Sequence, residues 1–121
     1  MSDHTTALND AMQIEGAMGI ALVDRQSGMA LATAGNPNGL DLNVAAAGNS
    51  NVVSAKMRTM ADLGIDEEIE DILIILGSQY HIIRTFGKEG GMFLYLVLDK
   101  SRANLAMARF RLNRIEQELK L

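Results

Sequence analysis

The sequence has no cysteine and no tryptophan, a single proline, three phenylalanines and two tyrosines. Without cysteine, disulfides and thiolate metal sites are excluded, and the composition fits a chain kept in a reducing compartment. No apolar run approaches the roughly 20 residues needed to span a bilayer, so no membrane insertion is expected. The opening residues, MSDHTTALND, have neither a basic stretch nor an apolar segment of the secretory type, so no leader peptide is expected. The net charge of −4 lacks the basic footprint that nucleic-acid binding requires. A cytoplasmic protein without nucleic-acid partners is the expectation.

What is present is aliphatic. Eight methionines and many alanines replace the missing aromatics, and methionine fills irregular gaps in a core. The 121 residues suit one domain, taken as 1–121, and need no covalent staples.

Periodicity divides the chain into eight elements. Residues 3–15 place Ala7, Leu8, Ala11, Met12 and Ile14 on one helical face, with Gly16 as a stop. AMGIALVD (17–24) and MALATAG (29–35) read as a hairpin across the turn-like RQSG. After the loop NPNG (36–39), residues 41–63 read as a long helix. DILIILG (71–77), QYHIIRTF (79–86) and MFLYLVLD (92–99) read as strands joined by Gly77-Ser78 and by GKEGG (87–91), hence antiparallel neighbours. A last helix is expected over 102–120, capped by Asp99 or Ser101. Its core stripe is Leu105, Ala108, Leu112, Ile115 and Leu119, and Phe110 is expected to pack on the first helix because a large exposed aromatic is the rarer case.

The order is α-β-β-α-β-β-β-α. ILIIL and MFLYLVL are apolar on both faces, and such strands need cover on both sides. The expected class is α+β: a five-stranded antiparallel sheet with helices on both faces, the long second helix alone on one of them.

That helix has three faces. Leu42, Ala46, Val53, Met57 and Met60 form a large-residue face. Asn43, Ala47, Ser50, Asn51, Ser54 and Arg58 form a polar one. Ala45, Gly48, Val52, Ala55 and Thr59 recur at alternating spacings of three and four, and all are small or β-branched. Small residues let a second backbone approach closely. The same face would also be compatible with simple packing on the sheet.

Residues with reactive chemistry are scarce. His81 lies inside a strand without a second ordered histidine near it, and reads as structural. The run Asp66, Glu67, Glu68, Glu70, Asp71 reads as a solvated loop. Asp24 and Asp99 end strands, where aspartate serves local hydrogen bonding. The glycines at 87, 90 and 91 open into a strand, so no helix N-terminus is there to cradle a phosphate. No catalytic residue, metal site or cofactor is expected. A small-ligand pocket around Tyr80, His81 and Arg84 is the alternative.

IEGAMGIALVDRQSGMALATAG (14–35) resembles the signature hairpin of roadblock domains, the family of the roadblock-type dynein light chains. SRANLAMARFRLNRIEQEL (101–119) resembles that family's last helix, with Asn104 and Arg109 near its start. The resemblance implies a roadblock/longin, profilin-like fold. It also implies a homodimer, or a heterodimer with a related domain, in which two sheets join and two second helices lie side by side. It implies a non-enzymatic signalling adaptor that binds a Ras-like small GTPase, as an activator or docking subunit, with a sensor kinase-like protein as a further partner in some bacterial complexes. On this reading Ala45, Gly48, Val52, Ala55 and Thr59 form the dimer seam. Asn43, Ser50, Asn51, Ser54 and Arg58 face the partner, Arg58 without acting as an arginine finger.

The edge of ILIIL completes the expectation. Residues 71–99 chain into a meander with this strand at one end. If the first hairpin docks beside MFLYLVL, then Ile72, Leu73, Ile74, Ile75 and Leu76 lie on an apolar edge open to pairing, and the same strand of a second copy would cover it. The competing readings are a ligand sensor and a purely structural dimerisation module.

Overall fold

A computed structural model describes residues 3–37, 39–87 and 90–120. Parts of the expected loop at 36–39 and the expected turn at 87–91 lie outside these residues. Helix α1 (His4–Ala11) is capped by Asp3, whose carboxylate accepts from Thr6 N at 2.7 Å. It buries Ala7, Leu8 and Ala11 and ends earlier than its periodicity predicts. Gln13 N and Ile14 N bond three residues back, to Asp10 O and Ala11 O, which tightens the chain before Gly16 turns it at φ +88°.

Strands β1 (Ala17–Asp24) and β2 (Met29–Gly35) form the first hairpin. Gly35 is required there: its φ is +82°, and a Cβ would stand 2.6 Å from Met18 O. Helix α2 (Leu42–Asp62) starts at Asp41, which accepts from Asn43 N and Val44 N. Strands β3 (Asp71–Ile75), β4 (Gln79–Phe86) and β5 (Met92–Asp99) form the meander.

Helix α3 (Leu105–Lys120) begins three residues later than expected. Asp99 instead closes a local turn, accepting from Ser101 N and Ser101 Oγ. The cap is Asn104, whose side chain accepts from Met107 N at 3.0 Å.

The sheet order is β2-β1-β5-β4-β3, antiparallel throughout. The hairpin docks beside β5, so β3 is left at an edge. Alternation along the strands splits the core in two. Ile20, Leu22, Ile82, Leu94, Leu96 and Leu98 pack against α1 and α3. Ala21, Val23, Ile83, Phe93, Tyr95 and Val97 pack against α2, which covers that face alone. The central strands β1 and β5 are apolar in both directions because both directions are covered.

Phe110 departs from its expected packing. It is 56% exposed, with the Arg114 guanidinium 6.0 Å from its ring centroid. Ala108, Leu112 and Ile115 already fill the contact of α3 with the core.

Candidate protein–protein interface

Helix α2 lies against β1 and β2, and its flanks are oriented by two contacts. On one flank Arg25, in the β1–β2 turn, donates to Ser54 Oγ at 3.2 Å and to Gly90 O at 2.8 Å. Ala47 and Ser50 stand over Gly28 of the same turn. On the other flank Asn49 lies beside the Tyr95 hydroxyl in the central strand β5. The side carrying Ala45, Gly48, Val52 and Ala55 therefore opens toward the β3 end of the sheet.

That side is uncovered. Val52 is 41% exposed, and Gly48, Ala55 and Thr59 are exposed. Nothing stands within 4 Å of a Cβ built on Gly48, so no packing within the chain requires glycine at this position. Ala45 is half-buried against the core below.

The residues expected to face a partner divide. Asn43, Asn51 and Arg58 are exposed. Ser50 is not: it is 5% exposed and donates to Ala46 O at 2.9 Å. A serine that bonds the carbonyl four residues back satisfies itself inside a core, and its polarity alone does not place it outward. Ser54 is half-buried and held by Arg25. The outward polar surface is thus smaller than expected.

Among the described residues β3 pairs only with β4, with Leu73 opposite Ile82 and Ile75 opposite Tyr80. Leu73, Ile75 and Leu76 are 41%, 58% and 43% exposed. Ile72 packs on the α2-side core, and Ile74 is half-buried.

A charged cluster fixes this edge to the rest of the molecule. Asp71 opens β3 directly opposite Arg84 of β4, and Arg84 donates to its Oδ2 at 2.9 Å. Arg84 also donates to Asn113 Oδ1 at 3.1 Å and lies 3.7 Å from Glu116 Oε1. Arg109 Nε donates to Asp71 Oδ2 at 2.7 Å, and that bond holds the Arg109 guanidinium above its usual pKa. Two carboxylates thus face two guanidiniums. Asp71 and Arg84 retain 7% and 10% side-chain exposure, so Asp71 is set apart from the exposed Asp66, Glu67, Glu68 and Glu70. Thr85 Oγ1 donates to Ile69 O and extends the fastening upstream. The one sequence signal for this cluster was an arginine within the apolar run of β4.

Tyr80, His81 and Arg84 do not converge on a pocket. Alternation sends Tyr80 and Arg84 toward α3 and His81 toward α2. There His81 Nε2 donates to Gln79 Oε1 at 2.8 Å and Nδ1 of the neutral ring accepts from the Tyr95 hydroxyl at 3.0 Å, and burial pushes its pKa down. A separate cavity of about 180 Å³ lies between the end of α2 and the end of β4, lined by Met57, Met60, Ile65, Ile69 and Phe86 among others. It is smaller than the roughly 300–1,000 Å³ of typical ligand sites, whereas the depression of about 590 Å³ beside Arg84, Asn113 and Glu116 is lined mainly by polar residues and takes in neither Tyr80 nor His81.

No protein-family model matches the sequence, and no curated protein does. Solved structures do match. MglB of Myxococcus xanthus superposes with a TM-score of 0.82 at 18% identity, over 98% of this chain and 94% of that one. A Roadblock/LC7 domain from Streptomyces avermitilis gives 0.84 at 16%, over 98% and 96%. The chain has the roadblock fold. The gliding protein MglB of Thermus thermophilus gives 0.73 at 22% identity, over 94% and 88%. At these identities the likeness is one of fold.

Within this roadblock fold, Asn104 and Arg109 both have structural work: Asn104 caps α3, and Arg109 clamps the start of β3. No helix among the described residues is long and apolar enough to cross a membrane.

Proposed function

We propose that this chain is a non-enzymatic, cytoplasmic, homodimeric adaptor that binds a Ras-like small GTPase and modulates its nucleotide cycle. One observation carries the reading: the unpaired apolar edge of β3 and the uncovered small-residue flank of α2 open toward the same end of the molecule. An exposed apolar edge strand is a template for pairing, and a flank of alanine, glycine and valine admits a second helix at short distance. A two-fold axis beside β3 satisfies both at once, since an isologous contact presents the same patch twice. The likeness in fold to MglB supports regulation of a GTPase as the role.

The reading assigns Ala45, Gly48, Val52, Ala55 and Thr59 to the helix seam and Ile72 to Leu76 to the strand seam. The paired α2 helices then form the platform for the GTPase, with Asn43, Asn51 and Arg58 as its outward polar groups. Activation would come from ordering the GTPase's own switch residues. Arg58 is one exposed helix residue and is given no catalytic part.

The test is a titration of the purified chain against each Ras-like small GTPase of its source organism, loaded with GDP or with a non-hydrolysable GTP analogue. One of them is expected to bind with a preference of about tenfold between nucleotide states, and its hydrolysis rate is expected to change. Failure of every GTPase to bind in either state contradicts the proposal.

A further inference from the structure

The ends of β3 carry opposite charge. Glu68 and Glu70, both exposed, precede the strand. Lys100 stands at its other end, reaching there from the end of β5. Its backbone N donates to Ser78 O at 3.1 Å, and its Nζ lies 3.4 Å from Leu76 O and 5.8 Å from the Tyr80 ring centroid. Among the described residues neither Lys100 nor the two glutamates form an ion pair within 4 Å, and Glu70 lies close enough to Arg109 for its charge to favour that guanidinium.

An edge strand paired with its own copy about a two-fold axis runs antiparallel. The upstream flank of one β3 then lies beside the downstream flank of the other. With the axis at Leu73, Glu70 falls opposite Leu76 and Glu68 opposite Ser78. With the axis at Ile74, Glu70 falls opposite Ser78. The Lys100 backbone bonds Ser78 O and its Nζ lies 3.4 Å from Leu76 O, so in either register a glutamate of the second copy falls opposite a residue that Lys100 touches. A parallel arrangement would bring like charges together.

We infer that Lys100 selects a second copy of this chain as the β3 partner by pairing with Glu68 and Glu70 across the two-fold axis. The inference rests on the homodimer reading and adds to it the basis of partner choice. Hydrogen bonds along β3 are sequence-blind. The charges at its ends distinguish a strand with the same acid-then-base pattern from an edge that lacks it.

The test is sedimentation of the purified chain and two charge-reversed forms, Lys100→Glu and the double change Glu68→Lys with Glu70→Lys. All three positions are exposed, and circular dichroism checks the fold of each form. Each reversed form alone is expected to dimerise about tenfold more weakly at low salt, with the difference shrinking as salt screens the contact. Mixed together, the two forms are expected to make a heterodimer as tight as the parent dimer, because every reversed charge then meets its complement. A parent dimer with both reversed forms equally tight, or a mixture without recovery, overturns the inference and leaves the homodimer standing. A parent chain that is monomeric at every concentration overturns the homodimer reading, and this inference with it.

Discussion

Arg109 Nε and Asp71 Oδ2 meet at 2.7 Å, joining the first turns of α3 to the first residue of the edge strand. Asp71 also holds Arg84 at 2.9 Å, so one carboxylate compensates two guanidiniums, one of them buried. An edge strand of five residues with one paired neighbour needs such an anchor to keep its register.

Asp71→Ala removes the compensation and leaves Arg84 charged inside the protein, with the Glu116 carboxylate at the longer distance of 3.7 Å. A loss of about 3 kcal/mol is expected on chemical denaturation. Adding Arg84→Met to that variant should recover part of the loss, because the buried charge goes too. A double variant as unstable as the single one would show that the cluster acts through something other than charge.

His81 gives a pH dependence. Burial depresses its pKa below the ordinary 6.5, so on acidification the unfolded chain takes up this proton before the folded one. The stability tied to neutral His81 is complete above about pH 6.5 and is lost as pH falls toward the folded-state pKa. Denaturation curves between pH 7.5 and 5 are expected to show that loss. His81→Gln, which keeps a hydrogen-bonding group beside Tyr95, should flatten the His81 part of the slope. An unchanged slope would refute the assignment.

Gly48 separates folding from assembly. Alanine here fits the protomer, since nothing lies within 4 Å of the added Cβ, and should stabilise α2 by up to about 1 kcal/mol. In the proposed seam the same methyl group would hold two close-packed helices apart, so Gly48→Ala should weaken the dimer while raising the protomer's melting temperature. Gly48→Leu and Val52→Asp should dissociate it. Sedimentation of these variants as intact dimers would remove α2 from the seam.

The strands were readable because their signals are local: alternation, β-branched runs and glycine turns set all five to within two residues at each end. Short connections gave the meander, and the edge position of β3 rested on the added condition that the first hairpin docks beside β5, as it does. What escaped needed neighbours distant in sequence. Asp71 looked like one more acid in an acidic run until Arg84 and Arg109, 13 and 38 residues away, were brought beside it. Ser50 lies close to the polar arc of α2 by angle and is buried by packing. Asp99, Ser101 and Asn104 are all competent helix caps, and only the turn closed by Asp99 leaves the role to Asn104. Tyr80, His81 and Arg84 lie close together in sequence, and the pleat sends His81 to one face and Tyr80 and Arg84 to the other.

The most direct test of the paired edge is amide hydrogen exchange across Ile72 to Leu76, measured above and below the concentration at which sedimentation detects association. On this account the outward-facing amides of β3 are protected in the associated state and exchange rapidly on dilution, while those of β5 stay protected in both. Rapid exchange along β3 in an associated sample, with protection appearing elsewhere, would contradict it.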